Sequence, residues 1–324
     1  MSTVTEIARI AGVSKMAVSY AFSSDPLKRN KISPATRQKI SLIAEQMDYH
    51  PSMLGRGLSL SRSYTLALLL PKSTQRNISE HTLGIFHGIS MELDKSEYNL
   101  AIFFGWDKKF SNAVKSRRID GVIMITSMTE SPFFDKIDEL NLPFVLVNRP
   151  QQSSNPLIGS VCSDFANCIA SEINRFAANN VSEAILYCGN MDLIDNSYTA
   201  KIFLEECRKF NLKAAVKDID HFDPSEVTGN QGVIFRGIRP EVEKFLASAS
   251  DMPNSPAVLV TPQLIKKITF PEHFLRCNTP EDIGLQSTRM LLEMIEQKRP
   301  GRQIMIPLTS WDSYSEQKII PRDF

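Results

Sequence analysis

The apolar positions of the first fifty residues follow helical spacing, and residues typical of helix ends separate them. Ile7 and Ala11 predict one face of a first short helix, which Gly12 would end because glycine readily takes the left-handed terminal conformation. Ser14 would cap a second helix. The inward face of that helix would consist of Ala17, Val18, Ala21 and Phe22. Two short helices joined by a glycine turn predict a helix-turn-helix.

The outward face of the second helix is the candidate recognition surface. It would carry Lys15, Met16, Ser19 and Tyr20, which project together at helical spacing. A recognition helix presents such side chains to base edges in the major groove of DNA. The alternative is the solvated face of an ordinary helical hairpin. A third amphipathic helix would follow, capped by Ser33 with Pro34 at its first position.

The distribution of charge favours DNA binding. The chain has 324 residues and a net charge of +1, but residues 1–63 hold nine Lys or Arg and four acids, hence +5. The rest of the chain therefore carries −4, and the charge that can neutralise phosphates lies on the helix-turn-helix. The candidate phosphate contacts are Ser14, Lys28, Arg29 and Lys31. The three basic residues lie in the loop between predicted helices, and a merely solvated loop is the alternative.

From Tyr64 onward, apolar runs of strand length alternate with helical stretches. Continuous apolar runs are typical of buried parallel strands, so the pattern predicts a doubly wound α/β fold with two sheets. The predicted strands are 65–70, 98–104, 121–125, 143–147, 160–163, 183–188, 231–235, 256–260 and 304–308. The predicted helices are about 80–96, 107–117, 131–140, 165–179, 195–210, 240–249 and 279–297.

Composition and motifs exclude several classes of protein. No run approaches the ~20 apolar residues of a membrane helix, and no signal peptide is recognisable, so we expect a cytoplasmic protein. The five cysteines form no CxxC pair and are expected to be buried thiols. The chain has no GxGxxG, GxxxxGK[ST] or HExxH motif, and its five histidines are scattered. We therefore expect no enzyme, no cofactor and no metal site.

The segments AGVSKMAVSYAF and ISPATRQKISLIAEQMDYHPSMLGRGLSLSRSYTLALLLP resemble the head of a LacI/GalR-family bacterial transcription regulator. That family shows an AGVSxxTVSRVLN-type helix-turn-helix and then a VSPETRxxVLxAIxxLGYxPNxxARxL segment. The resemblance implies a DNA-binding domain at 1–50, a hinge helix at 51–63 and a two-lobed, periplasmic-binding-protein-like sensor at 64–324. The N-lobe would comprise about 64–163 plus 277–303, and the C-lobe about 164–276 plus 304–324.

The resemblance also implies roles for linker residues. Leu58 matches the leucine that the family inserts into the minor groove at the operator centre, and Leu54 and Arg56 would belong to the same hinge helix. An apolar wedge of this kind unstacks a base step and kinks the duplex. Gly55 and Gly57 would each cost the helix roughly 1 kcal/mol. We therefore expect a weak hinge helix that becomes ordered on DNA.

The sensor cleft of the family is lined by polar loops at strand ends. The matching candidates here are Lys72, Ser73, Asn77, Asp164, Asn190 and Tyr198. The alternative for each is a helix cap or loop residue. Two segments depart from the family, because NSYTAKIF (196–203) lacks its arginine and TPQLIKK (261–267) lacks its acids. The usual sugar-binding constellation is therefore not visible.

These observations lead us to expect a homodimeric, sequence-specific transcription regulator, and specifically a repressor, on a near-palindromic operator. A small-molecule effector, sugar-like or nucleoside-like by resemblance only, would modulate its DNA affinity. Tyr20 stands where the family frequently has arginine, so we expect a different base preference with any guanine contact made by Lys15. One alternative is a ligand-free sensor that acts constitutively or through a protein partner. The other is a solute-binding protein, against which the +5 head and the absent signal peptide argue.

Overall fold

The computed structural model describes residues 3–23, 26–49, 57, 60–76, 78–125, 134–150, 153–249, 254, 256–260 and 274–310. The chain divides into two compact units, Met1–Tyr64 and Thr65–Phe324. The first unit is a small helical head with its own core, and the second is an α/β unit.

The head contains the three helices that the sequence predicts and one more. They are α1 (Val4–Ala11), α2 (Lys15–Ala21), α3 (Pro26–Arg29) and α4 (Pro34–Gln46). The hydroxyls of Ser14 and Ser33 cap α2 and α4, and Gly12 ends α1 in the left-handed conformation with φ 67°. The additional turn α3 starts at Pro26, because proline is compatible with the first position of a helix. Two residues that the sequence placed in a loop, Lys28 and Arg29, are therefore helical.

Small residues let the helices of the head pack closely. The buried core consists of Ile7, Ala8, Ala11, Val18, Ala21, Ile40 and Ala44. Val13 is partly buried against this core. The rings of Phe22 and Tyr49 lie 5.8 Å apart between centroids and close one side of it. With four alanines among seven members, the core depends on its three larger side chains.

The α/β unit is built on two sheets, as the sequence predicts, and each sheet has six strands among the described residues. The first has the order β11-β5-β4-β3-β1-β2 and is parallel throughout. Its strands are β1 (Thr65–Leu70), β2 (Asn99–Phe104), β3 (Gly121–Ile125), β4 (Phe144–Val147), β5 (Ile158–Asp164) and β11 (Gln303–Pro307). Around it lie α5 (Glu80–Leu93), α6 (Lys108–Lys115), α7 (Phe134–Ile137) and α11 (Pro280–Glu296).

The second sheet has the order β12-β10-β9-β8-β6-β7 and is parallel except at the short strand β12. Its strands are β6 (Glu183–Cys188), β7 (Lys213–Asp218), β8 (Gln231–Phe235), β9 (Ala257–Val260), β10 (Leu275–Cys277) and β12 (Thr309–Ser310). Its helices are α8 (Phe165–Ala178), α9 (Ile194–Lys209) and α10 (Pro240–Ser248). Each lobe of the unit, defined by one sheet and its helices, thus has the doubly wound architecture.

Four strands differ from the sequence expectation, and one of them is the two-residue strand β12, which was not predicted. The edge strand β7 is half-exposed and lacks a continuous apolar run, so hydrophobic patterning did not reveal it. The strand β10 is buried but only three residues long. The strand at Gln303–Pro307 pairs with β5 in the first sheet, whereas the family resemblance implies a C-lobe that includes 304–324. β11 pairs there because the outer edge of β5 presents backbone N–H and C=O groups for hydrogen bonding. The chain then continues directly into β12 of the second sheet.

Glycines allow two helices of the first lobe to touch through their backbones. A Cβ atom at Gly88 of α5 would overlap the carbonyl oxygen of Glu281 in α11, and one at Gly284 would overlap that of Ile85. Helices can approach this closely only where side chains are absent from the contact. The pair α5 and α11 therefore forms one rigid layer on the first sheet.

All five cysteines are buried free thiols, as the sequence predicts. Burial raises the pKa of Cys168 and of Cys207 to about 12 and that of Cys277 to about 11, so these thiols stay protonated at neutral pH. Within the described part of the chain, no helix is both long and apolar enough to cross a membrane. The same residues include no group of three His, Cys, Asp or Glu side chains able to hold a metal ion.

Candidate functional site

The outer face of α2 presents three of the four predicted recognition residues to solvent. Val18 and Ala21 are buried and fix the helix on the head, so the opposite side must face outward. Lys15, Met16 and Ser19 are exposed on that side, with 61% of Met16 accessible. An exposed apolar side chain between polar ones is suited to contact a thymine methyl group beside hydrogen-bonding groups.

Tyr20, the fourth recognition candidate, is half-buried, and a lysine lies over its ring. The Nζ atom of Lys31 is 5.4 Å from the ring centroid, within the range of a cation–π interaction. Lys31, which the sequence analysis assigned to phosphate contact, is thus attached to the edge of the recognition face. The same ammonium group restricts the positions available to the tyrosine ring.

Basic residues surround α3 and the start of α4. Lys28 is half-buried, and Arg29 is exposed at the last turn of α3. A residue that the sequence analysis missed, Arg37, donates from Nη2 to the carbonyl oxygen of Arg29 at 3.3 Å and ties α4 to α3. Ser14 uses its hydroxyl oxygen to accept the N–H of Ala17 at 3.1 Å, which leaves its O–H able to donate. These donors form a positively charged border beside α2.

Most of the predicted hinge lies outside the described residues, including Leu54, Arg56 and Leu58. Gly57 is described, and its carbonyl oxygen accepts the backbone N–H of Arg62 at 2.9 Å. A Cβ atom at Gly57 would overlap the carbonyl oxygen of Arg62. This glycine therefore permits a close backbone approach, in addition to its effect on helix propensity.

The sequence-predicted cleft residues have mostly local roles. Asp164 ends β5 and caps α8 by accepting the N–H of Asn167 at 3.2 Å. Asn190 accepts the N–H of Asp192 at 2.8 Å in an exposed turn. Lys72 is exposed in the 3-10 turn Lys72–Gln75, while Asn77 and the side chain of Ser73 lie outside the described residues.

Tyr198 is half-buried against the core of the second lobe. Burial raises the pKa of its phenol, and the carboxylate of Asp164 is among the neighbouring groups that raise it further. Asp164, at the end of β5, is therefore close enough to Tyr198 of α9 to act on its phenol electrostatically.

A chain of hydrogen bonds that the sequence analysis missed links the two lobes. Asn148, which follows β4 with φ 52°, accepts the backbone N–H of Ser163 at 3.1 Å. Its Nδ2 atom lies 3.2 Å from Nε2 of His81 in α5. Ser163 donates through Oγ to Oδ1 of Asn278 at 3.4 Å, and Asn278 donates from Nδ2 to the carbonyl oxygen of Ile306 at 3.2 Å. We call His81, Asn148, Ser163 and Asn278 the lobe-bridging cluster.

Arg236 lies at the same edge and acts electrostatically on the cluster. Burial lowers the pKa of His81 to about 4, and the positive charge of Arg236 contributes to this shift. The guanidinium carbon of Arg236, directly after β8, is 4.2 Å from the ring centroid of Phe165 at the start of α8. Carboxyl ends of parallel strands are where open α/β sheets bind ligands. Asn148 and Arg236 each follow a predicted strand directly, and this position is the signal that could have identified them.

Comparisons with known proteins agree with this geometry. The sequence pattern of the bacterial regulatory proteins of the lacI family matches residues 3–52. The chain is 30% identical over 150 residues to the probable HTH-type transcriptional repressor ExuR of Bacillus subtilis (strain 168), covering 46% of this chain and 44% of that protein. It is 29% identical over 187 residues to the sucrose operon repressor of Klebsiella pneumoniae, covering 56% and 53%. The chain thus spans about half the length of these relatives.

Solved structures resemble the chain over nearly its whole length. The lac repressor dimer bound to operator and the anti-inducer ONPF superposes with a TM-score of 0.66 at 14% identity, covering 95% of this chain and 97% of that one. The transcriptional regulator CelR in complex with cellobiose gives a TM-score of 0.55 at 16% identity, covering 95% and 98%. At these identities the likeness concerns the fold. Residues 3–52 thus match the lacI family of bacterial regulatory proteins, and the α/β unit has the two-lobed fold of the solved repressors.

Proposed function

We propose that this chain is a sequence-specific DNA-binding transcription repressor that acts as a homodimer on a near-palindromic operator. In this proposal, a small molecule bound between the lobes modulates the DNA affinity. The observation that carries it is the exposed face of α2, where Lys15, Met16 and Ser19 stand together on a domain of the lacI family. The net charge of +5 on residues 1–63 supports binding to phosphates, and a steep salt dependence is expected.

Two further features support the dimer and the effector. Three large apolar side chains of α5, namely Leu83, Phe86 and Met91, are exposed, which is typical of a surface that associates. The solved lac repressor is a dimer on its operator, and CelR is solved with cellobiose. The lobe-bridging cluster is an arrangement that a ligand between the lobes can change, and such domain movements are a common allosteric device.

The Tyr20→Arg variant tests the recognition face. An arginine can bind guanine with two hydrogen bonds, whereas tyrosine cannot, so the variant should select a different base at one position of each half-site. We expect its best sequence to bind about as tightly as the wild-type protein binds its own. Selection from a random DNA pool, followed by mobility shift, measures both quantities. Identical motifs from the two proteins would refute this role of Tyr20, and no selected motif at all would refute the proposed function.

The Leu58→Ala variant tests the hinge. If Leu58 wedges into the minor groove, removal of its side chain should weaken operator binding and reduce the bend, because the wedge is what unstacks the base step. A circular-permutation mobility shift on the selected operator reports affinity and bend angle together. A Leu60→Ala variant is a matched control, since Leu60 is exposed in the described chain. A wild-type bend in Leu58→Ala would exclude the wedge.

A second candidate is a repressor whose sensor binds no ligand and acts constitutively or through a protein partner. The capping role of Asp164 and the turn role of Asn190 favour it, because both side chains serve the fold locally. A ligand that binds only the folded protein raises the melting temperature. Thermal shift with sugars, nucleosides and purines therefore distinguishes the two candidates. DNA binding that is absent or insensitive to salt would instead favour a solute-binding protein.

A further inference from the structure

The hydrogen bonds of Asn148 determine which nitrogen of His81 carries the proton. The backbone N–H of Ser163 can only donate, so the atom of Asn148 that it contacts at 3.1 Å is the carboxamide oxygen. The amide nitrogen of Asn148 therefore faces Nε2 of His81 at 3.2 Å. An NH₂ group donates and cannot accept, so Nε2 must accept. In the neutral ring the proton consequently sits on Nδ1.

This Nδ1–H group is a buried donor without an acceptor. The His81 ring is half-buried as a whole, but its Nδ1 atom is inaccessible to solvent. Among the described residues, none accepts a hydrogen bond from Nδ1. A buried donor that makes no hydrogen bond is unfavourable, so the position is suited to an acceptor oxygen supplied by a bound molecule.

Two positive features favour an acceptor that is negatively charged. His81 is the second residue of the fourteen-residue helix α5, which Ser79 caps, and the first turn of a helix favours anions. The guanidinium group of Arg236 is the charged group that acts on the His81 ring. Asp164, an acid at the same edge, accepts hydrogen bonds from the backbone and side chain of Asn167. The helix terminus and Arg236 thus both stabilise a negative charge near Nδ1.

We propose that the sensor takes an anionic effector, whose carboxylate or phosphate oxygen accepts a hydrogen bond from Nδ1 of His81 beside the guanidinium group of Arg236. This inference rests on the proposed effector-controlled function and specifies the chemical class of the effector. His81 and Arg236 come from different lobes, so an anion held by both would bring the lobes together.

Four probes of similar size test the charge requirement on the full-length protein. Gluconate and glucuronate carry a carboxylate, glucose 6-phosphate carries a phosphate, and glucose is the neutral control. In isothermal titration calorimetry, we expect the affinity for at least one anionic probe to be at least about tenfold higher than the affinity for glucose. One charge-assisted hydrogen bond can supply this difference. The probe that binds shows whether the ligand carries a carboxylate or a phosphate. Equal or absent binding of all four probes would overturn the proposal.

Single substitutions at His81, Arg236 and His87 test where the anion binds. The substitutions His81→Ala and Arg236→Gln should each lower the affinity for the anionic probe by about tenfold. His87 lies on the exposed side of α5, so His87→Ala should bind the probe as tightly as the wild-type protein does. A circular dichroism spectrum and a melting temperature equal to those of the wild-type protein show that each variant is folded. Equal anion affinity in His81→Ala and His87→Ala would contradict the proposal.

An independent measurement is the nitrogen NMR spectrum of the histidines in the wild-type protein. At neutral pH, His81 should be the Nδ1–H tautomer, and the anionic probe should shift its Nδ1 resonance. An Nε2–H tautomer would overturn the inference, whatever the DNA result. Conversely, if the wild-type protein selects no operator, the proposed function fails, while the calorimetric and NMR results for the anion still stand or fall on their own.

Discussion

Replacing Ile7 with alanine is expected to abolish specific DNA binding while leaving the α/β unit folded. Ile7 is 0% exposed and is one of three side chains larger than alanine among the described residues of the buried cluster of the head. Truncating a buried isoleucine to alanine costs about 2–5 kcal/mol. The total stability of so small a domain is of the same order, about 3–5 kcal/mol. The head would therefore be largely unfolded, and the recognition face of α2 would lose its support.

The matched control is Ile10→Ala, because Ile10 lies on the same helix but is 48% exposed. Mobility shift on the selected operator should show loss of binding for Ile7→Ala and nearly wild-type binding for Ile10→Ala. Thermal melting of the α/β unit should be the same in both variants, since the substitutions lie in the other compact unit. Equal operator affinities in the two variants would mean that the helical core does not limit DNA binding.

Replacing Glu172 with alanine is expected to destabilise the second lobe by about 3–5 kcal/mol, the usual effect of removing one partner of a buried ion pair. Glu172 lies in α8 and is only 3% exposed. Its Oε2 atom accepts from Arg175 at 2.7 Å and 2.9 Å, and its Oε1 atom accepts from Arg276 of β10 at 2.8 Å. Without the carboxylate, two partly buried guanidinium groups would lose an acceptor, and α8 would lose its polar link to the second sheet.

Urea unfolding of full-length protein measures this loss. Glu205→Ala is the control, because Glu205 is exposed and pairs with Lys201 only at 4.0 Å, so its removal should change stability by less than about 1 kcal/mol. A Glu172→Gln variant separates charge from shape, since the amide oxygen can still accept one hydrogen bond. We expect it to fall between the wild-type protein and Glu172→Ala. A loss in Glu172→Ala no larger than in Glu205→Ala would show that the ion pairs contribute nothing net.

Local signals made the head predictable. Ser14, Ser33 and Gly12 act within three or four residues of themselves, so their capping roles can be deduced from sequence alone. The continuous apolar runs of buried strands were equally visible, since burial on both faces of a parallel sheet leaves a strong pattern. The edge strand β7 has one solvated side and no such run, and for that reason only its position beside β6 reveals it.

The lobe-bridging cluster could not be predicted in this way. Asn148 lies 67 residues from His81 in sequence, and Ser163 lies 115 residues from Asn278. Their contacts depend on strand order and on the placement of β11, which the family resemblance assigned to the other lobe. Asp164 shows the opposite difficulty, because a polar residue after a strand looks the same whether it caps a helix or binds a ligand. The position of Lys31 over Tyr20 likewise depends on the unforeseen turn α3.

The close approach of α5 and α11, made possible by Gly88 and Gly284, affects the order in which the chain can fold during synthesis. α5 leaves the ribosome early, but α11, which touches it, and β11, which completes the first sheet, follow after strands β6 to β10. Until they emerge, the Gly88 side of α5 and the outer edge of β5 have no partner, and such surfaces make nascent chains prone to aggregation. The four helices of the head lie within the first 46 residues and can fold long before. The lobe whose first strand is translated earliest is therefore completed only when translation has passed Pro307.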